Sequence, residues 1–441
     1  MTLQRWSDGA VNVTTDPVTG AIGLSVGGRG LELAKVRPLR VGALGDSTVA
    51  GNLLSSLGIN VSVGQPYTNV YAPQAVGGER GGAFSWFTFL CLHAKGALIL
   101  NHNGGVSTDT SAGCLSRLNY EIAQAPDLLF LQMGVTNDIA SGTPAATSQA
   151  NVKSAVYRCL LAGVKPVLVT CYPRNEAALG VKTRAWNEWL KAYGFAAGIL
   201  VVDTYTPVVD PASTTGSWLA ENTTDGTHAT GLGAQRAGVS VLNQLVLAGV
   251  VPANVDVTKF PRLGNVSFGG SASEGPGQLI KNPLFLVDSN ADGLADSWVC
   301  NVGTKTINAA PGTGIVGYSQ VVSVVAGQKP NLNQDMAPVP GHRYAYSGLF
   351  KTTGCQAGGV TYSIGAVITF GADLLWHIQG SNLVGVDFTD WTPFYIEFVA
   401  QSDANMIRVS PLYFENNSAA SATFEFAMLR LADLTALEAP Y

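Results

Sequence analysis

Three short stretches combine residue types that can transfer an acyl group. The first is Gly45-Asp46-Ser47, directly after the apolar run Leu39–Leu44. A glycine there permits a sharp turn. A serine at the start of the next helix places its hydroxyl where helix N–H groups can meet a negative oxygen. The second is Met133-Gly134-Val135-Thr136-Asn137-Asp138, closing the apolar run Leu128–Met133. The side-chain amide of Asn137, at a strand end, can donate to a developing oxyanion. The third is Asp225-Gly226-Thr227-His228. A carboxylate three residues before an imidazole can accept its Nδ1–H, fix the tautomer and leave Nε2 free to take a proton. Each stretch also reads as a helix cap when taken alone. Together they supply nucleophile, oxyanion donor, acid and base. Of the five histidines (93, 102, 228, 342 and 377), only His228 has an acid at this local spacing. Asp203, at the end of the run Ile199–Val202, is a competing partner for it.

The elements around these stretches alternate. Apolar runs at Leu39–Leu44, Ala97–Leu100, Leu128–Met133, Pro166–Thr170 and Ile199–Val202 read as strands covered on both faces. Between and after them lie helical stripes. One is Val152, Ala155, Val156, Cys159 and Leu160, with Gly163 as a stop; another is Ala185, Trp186, Trp189, Leu190 and Tyr193, ending at Gly194. The last is Ala234, Ala237, Gly238, Val241, Leu242 and Leu245. Alternating strands and helices imply a parallel sheet with helices on both faces, whose ligands sit beyond the carboxyl ends of the strands. All three stretches fall on that edge.

In this order and context, residues 38–250 resemble the SGNH (GDSL-type) hydrolases. That family runs from a Gly-Asp-Ser block through a Gly block and a Gly-x-Asn-Asp block to a terminal Asp-x-x-His block. DGTHATGLGAQ is the most specific stretch. The resemblance implies a flavodoxin-like three-layer α/β/α sandwich and a serine esterase that needs no cofactor. It makes Ser47 the nucleophile, His228 the general base and Asp225 its orienter. The oxyanion donors it implies are the Ser47 N–H, the Asn137 side chain and the N–H of Thr108, which lies within Asn103–Thr110. Two positions depart from the family pattern. Thr108 stands where a glycine is usual, and Gly134 lies three residues before Asn137 with Val135 in the usual glycine place.

The region Pro261–Gly277 is rich in Gly, Ser and Pro and reads as a linker. The expected organisation is a β-rich arm over 1–36, a hydrolase domain over 37–255, a linker over 256–277 and an antiparallel β-sandwich over 278–441. Near the start of the sandwich, Asp288, Asn290 and Asp292 alternate, Gly293 allows a bend and Asp296 follows. With the Leu294 carbonyl these form an oxygen-ligand loop suited to Ca²⁺, or a metal-free Asx turn. The stretch Asn282–Trp298 resembles the opening of carbohydrate-binding jelly-roll modules found beside polysaccharide-active enzymes.

The chain has 441 residues, a formal charge of −5 and only 12% charged residues, about half the usual share. Such a surface argues against nucleic-acid binding. No run of 18 apolar residues suggests a membrane span. The six cysteines show no metal spacing and read as buried free thiols. The N-terminal stretch has no Sec-type pattern. With the Gly-rich arm and β-rich tail, this resembles bacteriophage tail or tailspike esterases, which implies an extracellular or virion location and a homotrimer. The expected function is removal of O-acetyl groups from a polysaccharide. The alternatives are a non-catalytic glycan- or receptor-binding tail protein, and a lipase or thioesterase acting on small acyl esters.

Overall fold

The computed structural model describes residues 11–15, 22–26, 29–32, 38–51, 82, 84–252, 272–357, 359–370, 375–400, 404–416 and 421–438. Most of the expected linker, 256–271, lies outside the described residues. Met1–Leu39 forms one compact unit and Arg40–Tyr441 another. In the first, β1 (Val11–Thr15), β2 (Ile22–Val26) and β3 (Arg29–Glu32) form an antiparallel meander.

The second unit opens with an α/β layer structure. Its strands are β4 (Leu39–Gly45), β5 (Leu98–Gly105), β6 (Leu128–Leu131), β7 (Lys165–Val169) and β8 (Val201–Val202). They lie in the order β5-β4-β6-β7-β8, with β4, β6, β7 and β8 mutually parallel. Counted within this sheet the order is 2-1-3-4-5, the flavodoxin-like winding. The helices are α1 (Ser47–Ala50), α2 (Trp86–His93), α3 (Ser111–Ala123), α4 (Val135–Ser141), α5 (Ala145–Leu161), α6 (Ala177–Ala197) and α7 (Gly231–Leu247).

Side chains alternate across a strand, so β6 divides the core between the two faces. Leu129 and Leu131 join Cys114, Leu118, Val152, Val156, Cys159, Trp186 and Leu190 from α3, α5 and α6. Phe130, between them, points the other way and meets Trp86 and Phe87 of α2 at ring-centroid distances of 5.6 and 5.9 Å. There α2 packs directly on α7, because a Cβ on Gly238 would lie 2.6 Å from the Trp86 carbonyl oxygen. The α6 stripe does not end at Gly194 as its spacing suggests. Gly194 lies against Val201, and the helix continues to Gly198, which caps it at φ +66°.

Beyond residue 272 the chain forms two antiparallel sheets. Their strands are β9 (Val299–Cys300), β10 (Thr304–Asn308), β11 (Ser319–Val324), β12 (Asn331–Met336), β13 (Arg343–Thr353), β14 (Thr361–Phe370), β15 (Leu375–Val384), β16 (Phe388–Val399), β17 (Ala404–Asn416) and β18 (Ala422–Asp433), followed by α8 (Leu434–Glu438). One sheet runs β10-β11-β18-β13-β16 and the other β15-β14-β17-β12-β9. Buried Tyr346, Phe350, Phe424 and Phe426 of the first sheet and Leu332, Tyr362, Ile407 and Val409 of the second supply the core. Tyr362 meets Phe424 edge-on across the gap, with centroids 5.3 Å apart. The segment before β9 is laid onto the first sheet, with Leu279 N–H on the Leu431 carbonyl and Asp433 N–H on that of Pro276, each at 2.8 Å.

Candidate active site

At the carboxyl end of β4 the chain turns through Gly45 and Asp46 into α1. A Cβ on Gly45 would crowd Val49 and Gln132, so the turn is tight enough to require glycine. Asp46 caps α1, its Oδ1 accepting the Thr48 N–H at 2.9 Å. Its carboxyl is fully buried, and burial raises its pKa above the ordinary value. Buried Gln132 ties the turn to its neighbours. Its Oε1 lies 2.8 Å from Thr48 Oγ1 and accepts Trp86 Nε1–H, and its Nε2 donates to the Thr170 carbonyl.

Ser47 Oγ lies 2.9 Å from His228 Nε2, although 181 positions separate them in the chain. His228 Nδ1 lies 2.7 Å from Asp225 Oδ2. The other carboxylate oxygen accepts the backbone N–H groups of Thr227 and His228 at 2.8 and 2.7 Å. Burial pushes the Asp225 carboxyl upward, but the hydrogen bonds from His228 and Thr227 outweigh it and hold the pKa at about 2. The turn is closed by Thr223, whose hydroxyl donates to the His228 carbonyl at 2.7 Å and accepts the Gly226 N–H. Asn175 pins it from outside, its N–H donating to the Gly226 carbonyl and its Oδ1 accepting from Trp218 N–H. The Asp225 and His228 side chains are 52% and 35% exposed, so this pair faces solvent. Asp203 is not at the imidazole. It accepts from Tyr205 and Thr206 and pairs with Lys191 at 3.0 Å, a turn-capping role.

Two further loops reach the same sheet edge. Val106 N–H donates to the Gly45 carbonyl at 3.1 Å, joining the loop after β5 to the serine turn. Thr108 in this loop is exposed and has φ +65°, a backbone region that favours glycine. Its position is the one at which the family usually carries that residue. Asn137 lies in the first turn of α4, and its Nδ2 donates to the Asp109 carbonyl at 2.8 Å. One amide N–H of Asn137 therefore serves the neighbouring loop, which leaves the second for a ligand. Among the described residues, no hydrogen bond takes up the backbone N–H of Ser47 or Thr108.

Arg117, on α3, was not legible as part of this assembly. Its guanidinium pairs with Asp109 at 2.6 Å and donates to the carbonyls of Gly104, at 3.0 Å, and Gly45, at 3.3 Å. One side chain thus ties together the ends of β4 and β5 and the Thr108 loop. The only hint in the sequence is a lone cation on a core-facing helix. Local spacing also undercounted the His–carboxylate pairs. His102 meets Glu121 at 2.6 Å, both nearly fully buried, and His342 meets Asp433 at 2.7 Å, through tertiary packing alone.

In the loop of Asp288, Asn290, Asp292, Leu294 and Asp296, the carboxylates accept from the loop itself. Asp288 takes the N–H groups of Asp292 and Gly293, Asp292 that of Leu294, and Asp296 that of Ser289. No group of three or more His, Cys, Asp or Glu side chains among the described residues is placed to hold a metal ion. Trp298 at the end of this stretch is buried and donates to the Asn282 carbonyl at 3.2 Å, so it closes the loop as core. All six cysteines are free. No helix among the described residues is long and apolar enough to cross a membrane.

Residues 43–236 match the model of the GDSL-like Lipase/Acylhydrolase family. No curated protein matches the chain. Among solved structures, a GDSL-like lipase from Bacteroides thetaiotaomicron VPI-5482 is 20% identical, with a TM-score of 0.35 over 49% of this chain and 91% of that one. An alpha/beta hydrolase enzyme from the metagenome of Lake Arreo, Spain, is 18% identical, with a TM-score of 0.37 over 49% of this chain and 98% of that one. An acetyl-xylooligosaccharide esterase from Geobacillus Stearmophilus is 16% identical, with a TM-score of 0.35 over 48% of this chain and 96% of that one.

Proposed function

Starting from a GDSL-like lipase/acylhydrolase domain over residues 43–236, we propose that this protein is a serine esterase that removes O-acetyl groups from a polysaccharide. The observation that carries the reading is the relay from Ser47 Oγ through His228 to Asp225, at 2.9 and 2.7 Å. Ser47 attacks the ester carbonyl while His228 Nε2 removes its proton. The oxyanion is met by the N–H groups of Ser47 and Thr108 and the second N–H of Asn137. As the tetrahedral intermediate collapses and its bond to the sugar oxygen breaks, His228 gives its proton to that oxygen, which leaves as the sugar hydroxyl. Water, activated by the same imidazole, releases acetate from the acyl-serine.

The polysaccharide part of the reading rests on the resemblance of Asn282–Trp298 to carbohydrate-binding modules. The resemblance of the N-terminal stretch, Gly-rich arm and β-rich tail to bacteriophage tail esterases supports a location outside the cell or on a virion, action on a surface glycan, and a homotrimer. The deciding experiment is acetate release from acetylated bacterial and plant polysaccharides by wild type and Ser47→Ala. Loss of release at an unchanged melting temperature is expected; equal release by the variant ends the proposal.

A further inference from the structure

The helix that follows His228 is not held by the α/β layers alone. α7 begins three residues after the imidazole, and its first turn abuts the sandwich. A Cβ on Gly231 would overlap the Val384 carbonyl oxygen and lie 3.6 Å from Val386 Cγ1. One turn on, Gln235 Nε2 lies 3.2 Å from His93 Nε2 and 3.5 Å from the Asp387 carbonyl oxygen. The Phe388 ring stacks on His93, with centroids 5.2 Å apart, and lies near-parallel to Phe89 at 6.4 Å. Residues 384–388 therefore fill the notch between α2 and α7.

This turn is built firmly on its own side. Phe388 N–H donates to Thr352 Oγ1 at 2.9 Å, Tyr362 Oη–H to the Val386 carbonyl at 3.1 Å, and Cys355 N–H to Asp387 Oδ1 at 2.7 Å. Val386 and Phe388 are buried. The His228 side chain, by contrast, is 35% exposed. Besides the bonds from Thr223 and Asn175, its loop is tied to the first turn of α7. Thr230 caps that turn through Gly233 N–H and joins the 221–222 segment by its N–H and hydroxyl.

We propose that residues 384–388 of the sandwich are a positioning element for His228, which makes the C-terminal sandwich a working part of the hydrolytic site. The proposal rests on the reading of Ser47 and His228 given above. By this logic, loosening the turn lets α7 shift and lengthens the contact between His228 and Ser47, without touching any group that meets substrate.

The test compares Phe388→Ala and Gly231→Ala with Leu332→Ala, a core change in β12 of the other sheet. Each protein is labelled with ¹⁵N-histidine, and the His228 signal is assigned by its loss in His228→Ala. Kinetics on p-nitrophenyl acetate and thermal melting are measured on the same samples. Phe388→Ala and Gly231→Ala are expected to shift or broaden the His228 signal and to lower kcat roughly tenfold, with KM within about twofold. Leu332→Ala is expected to lower the melting temperature and leave both readouts at wild-type values. An unmoved His228 signal in Phe388→Ala and Gly231→Ala overturns the proposal, as does an equal change in Leu332→Ala. If wild type hydrolyses no ester, the esterase reading falls, while the His228 signal still decides whether the sandwich positions that ring.

Discussion

Asp225→Asn separates the orientation of the imidazole from the folding of its turn. The asparagine retains one carbonyl oxygen for the Thr227 and His228 N–H groups, which Oδ1 now accepts at 2.8 and 2.7 Å. The turn is therefore expected to survive. The amide nitrogen then faces Nδ1, and the ring answers by carrying its proton on Nε2, toward Ser47 Oγ. A hydroxyl facing an N–H has lost its base. In the serine-protease template the same exchange costs on the order of 10⁴ in kcat, about 5.5 kcal/mol at ~1.36 kcal/mol per decade. Here the Asp225 side chain is 52% exposed, so water competes for Nδ1 and screens the charge. We expect a loss on the order of 10²–10³, about 3–4 kcal/mol. The assay is kcat on p-nitrophenyl acetate at about pH 8, with the melting temperature as control. A fall of less than about tenfold at unchanged stability would refute the role given to Asp225. The acid side of the profile carries a second check. The folded pKa of about 2 lies below the ordinary carboxylate value, so the stabilisation is present above about pH 4 and is lost as pH falls through 2. Asp225 thus stays ionised across the working range, and Asp225→Asn is expected to lower the plateau of the profile.

Asn137→Ala removes the bond to the Asp109 carbonyl and, on the proposed mechanism, an oxyanion donor; kcat is expected to fall about 10²-fold with KM little changed, as steady-state kinetics will show. Thr108→Gly relieves a β-branched residue at φ +65°, which stores about 1–2 kcal/mol, so activity is expected to persist and the melting temperature to hold or rise. A tenfold loss of kcat there would mean that the threonine side chain, rather than its N–H, matters. Burial pushes the thiols of Cys171 and Cys355 up to about 12, so iodoacetamide at about pH 8 is expected to label them only after unfolding. The calcium expectation for Asp288–Asp296 implies a higher melting temperature when Ca²⁺ is added to EDTA-treated protein, an increment lost in Asp292→Ala. An unchanged melting temperature would leave the loop as a set of Asx turns.

What could be read in the sequence was local. The 45–48 and 225–228 turns declare themselves because their chemistry depends on neighbours two or three positions away. The strands of the parallel sheet are visible as short apolar runs, and their alternation with helices implies the parallel sheet, whereas the winding order came only with the family resemblance. α2 was not visible, because Trp86-Phe87-Thr88-Phe89-Leu90-Cys91-Leu92 has no polar face and a helix buried all round shows no stripe. α6 was cut short at Gly194, since a glycine at a close helix–strand contact looks the same in sequence as a glycine at a cap. Arg117 was missed because the carbonyls it joins lie 13 and 72 positions away. The seam between Phe388 and α2 has no signature in sequence, because neither side departs from ordinary core composition.

The solvent-facing placement of Asp225 and His228 also bears on what a substrate must do to reach Ser47. On the polysaccharide reading proposed above, a pendant ester midway along a chain can be offered sideways to such a pair. Ionic strength acts on such an open pair far more than on a sealed one, so the rate itself becomes a gauge of how wet the chemistry is.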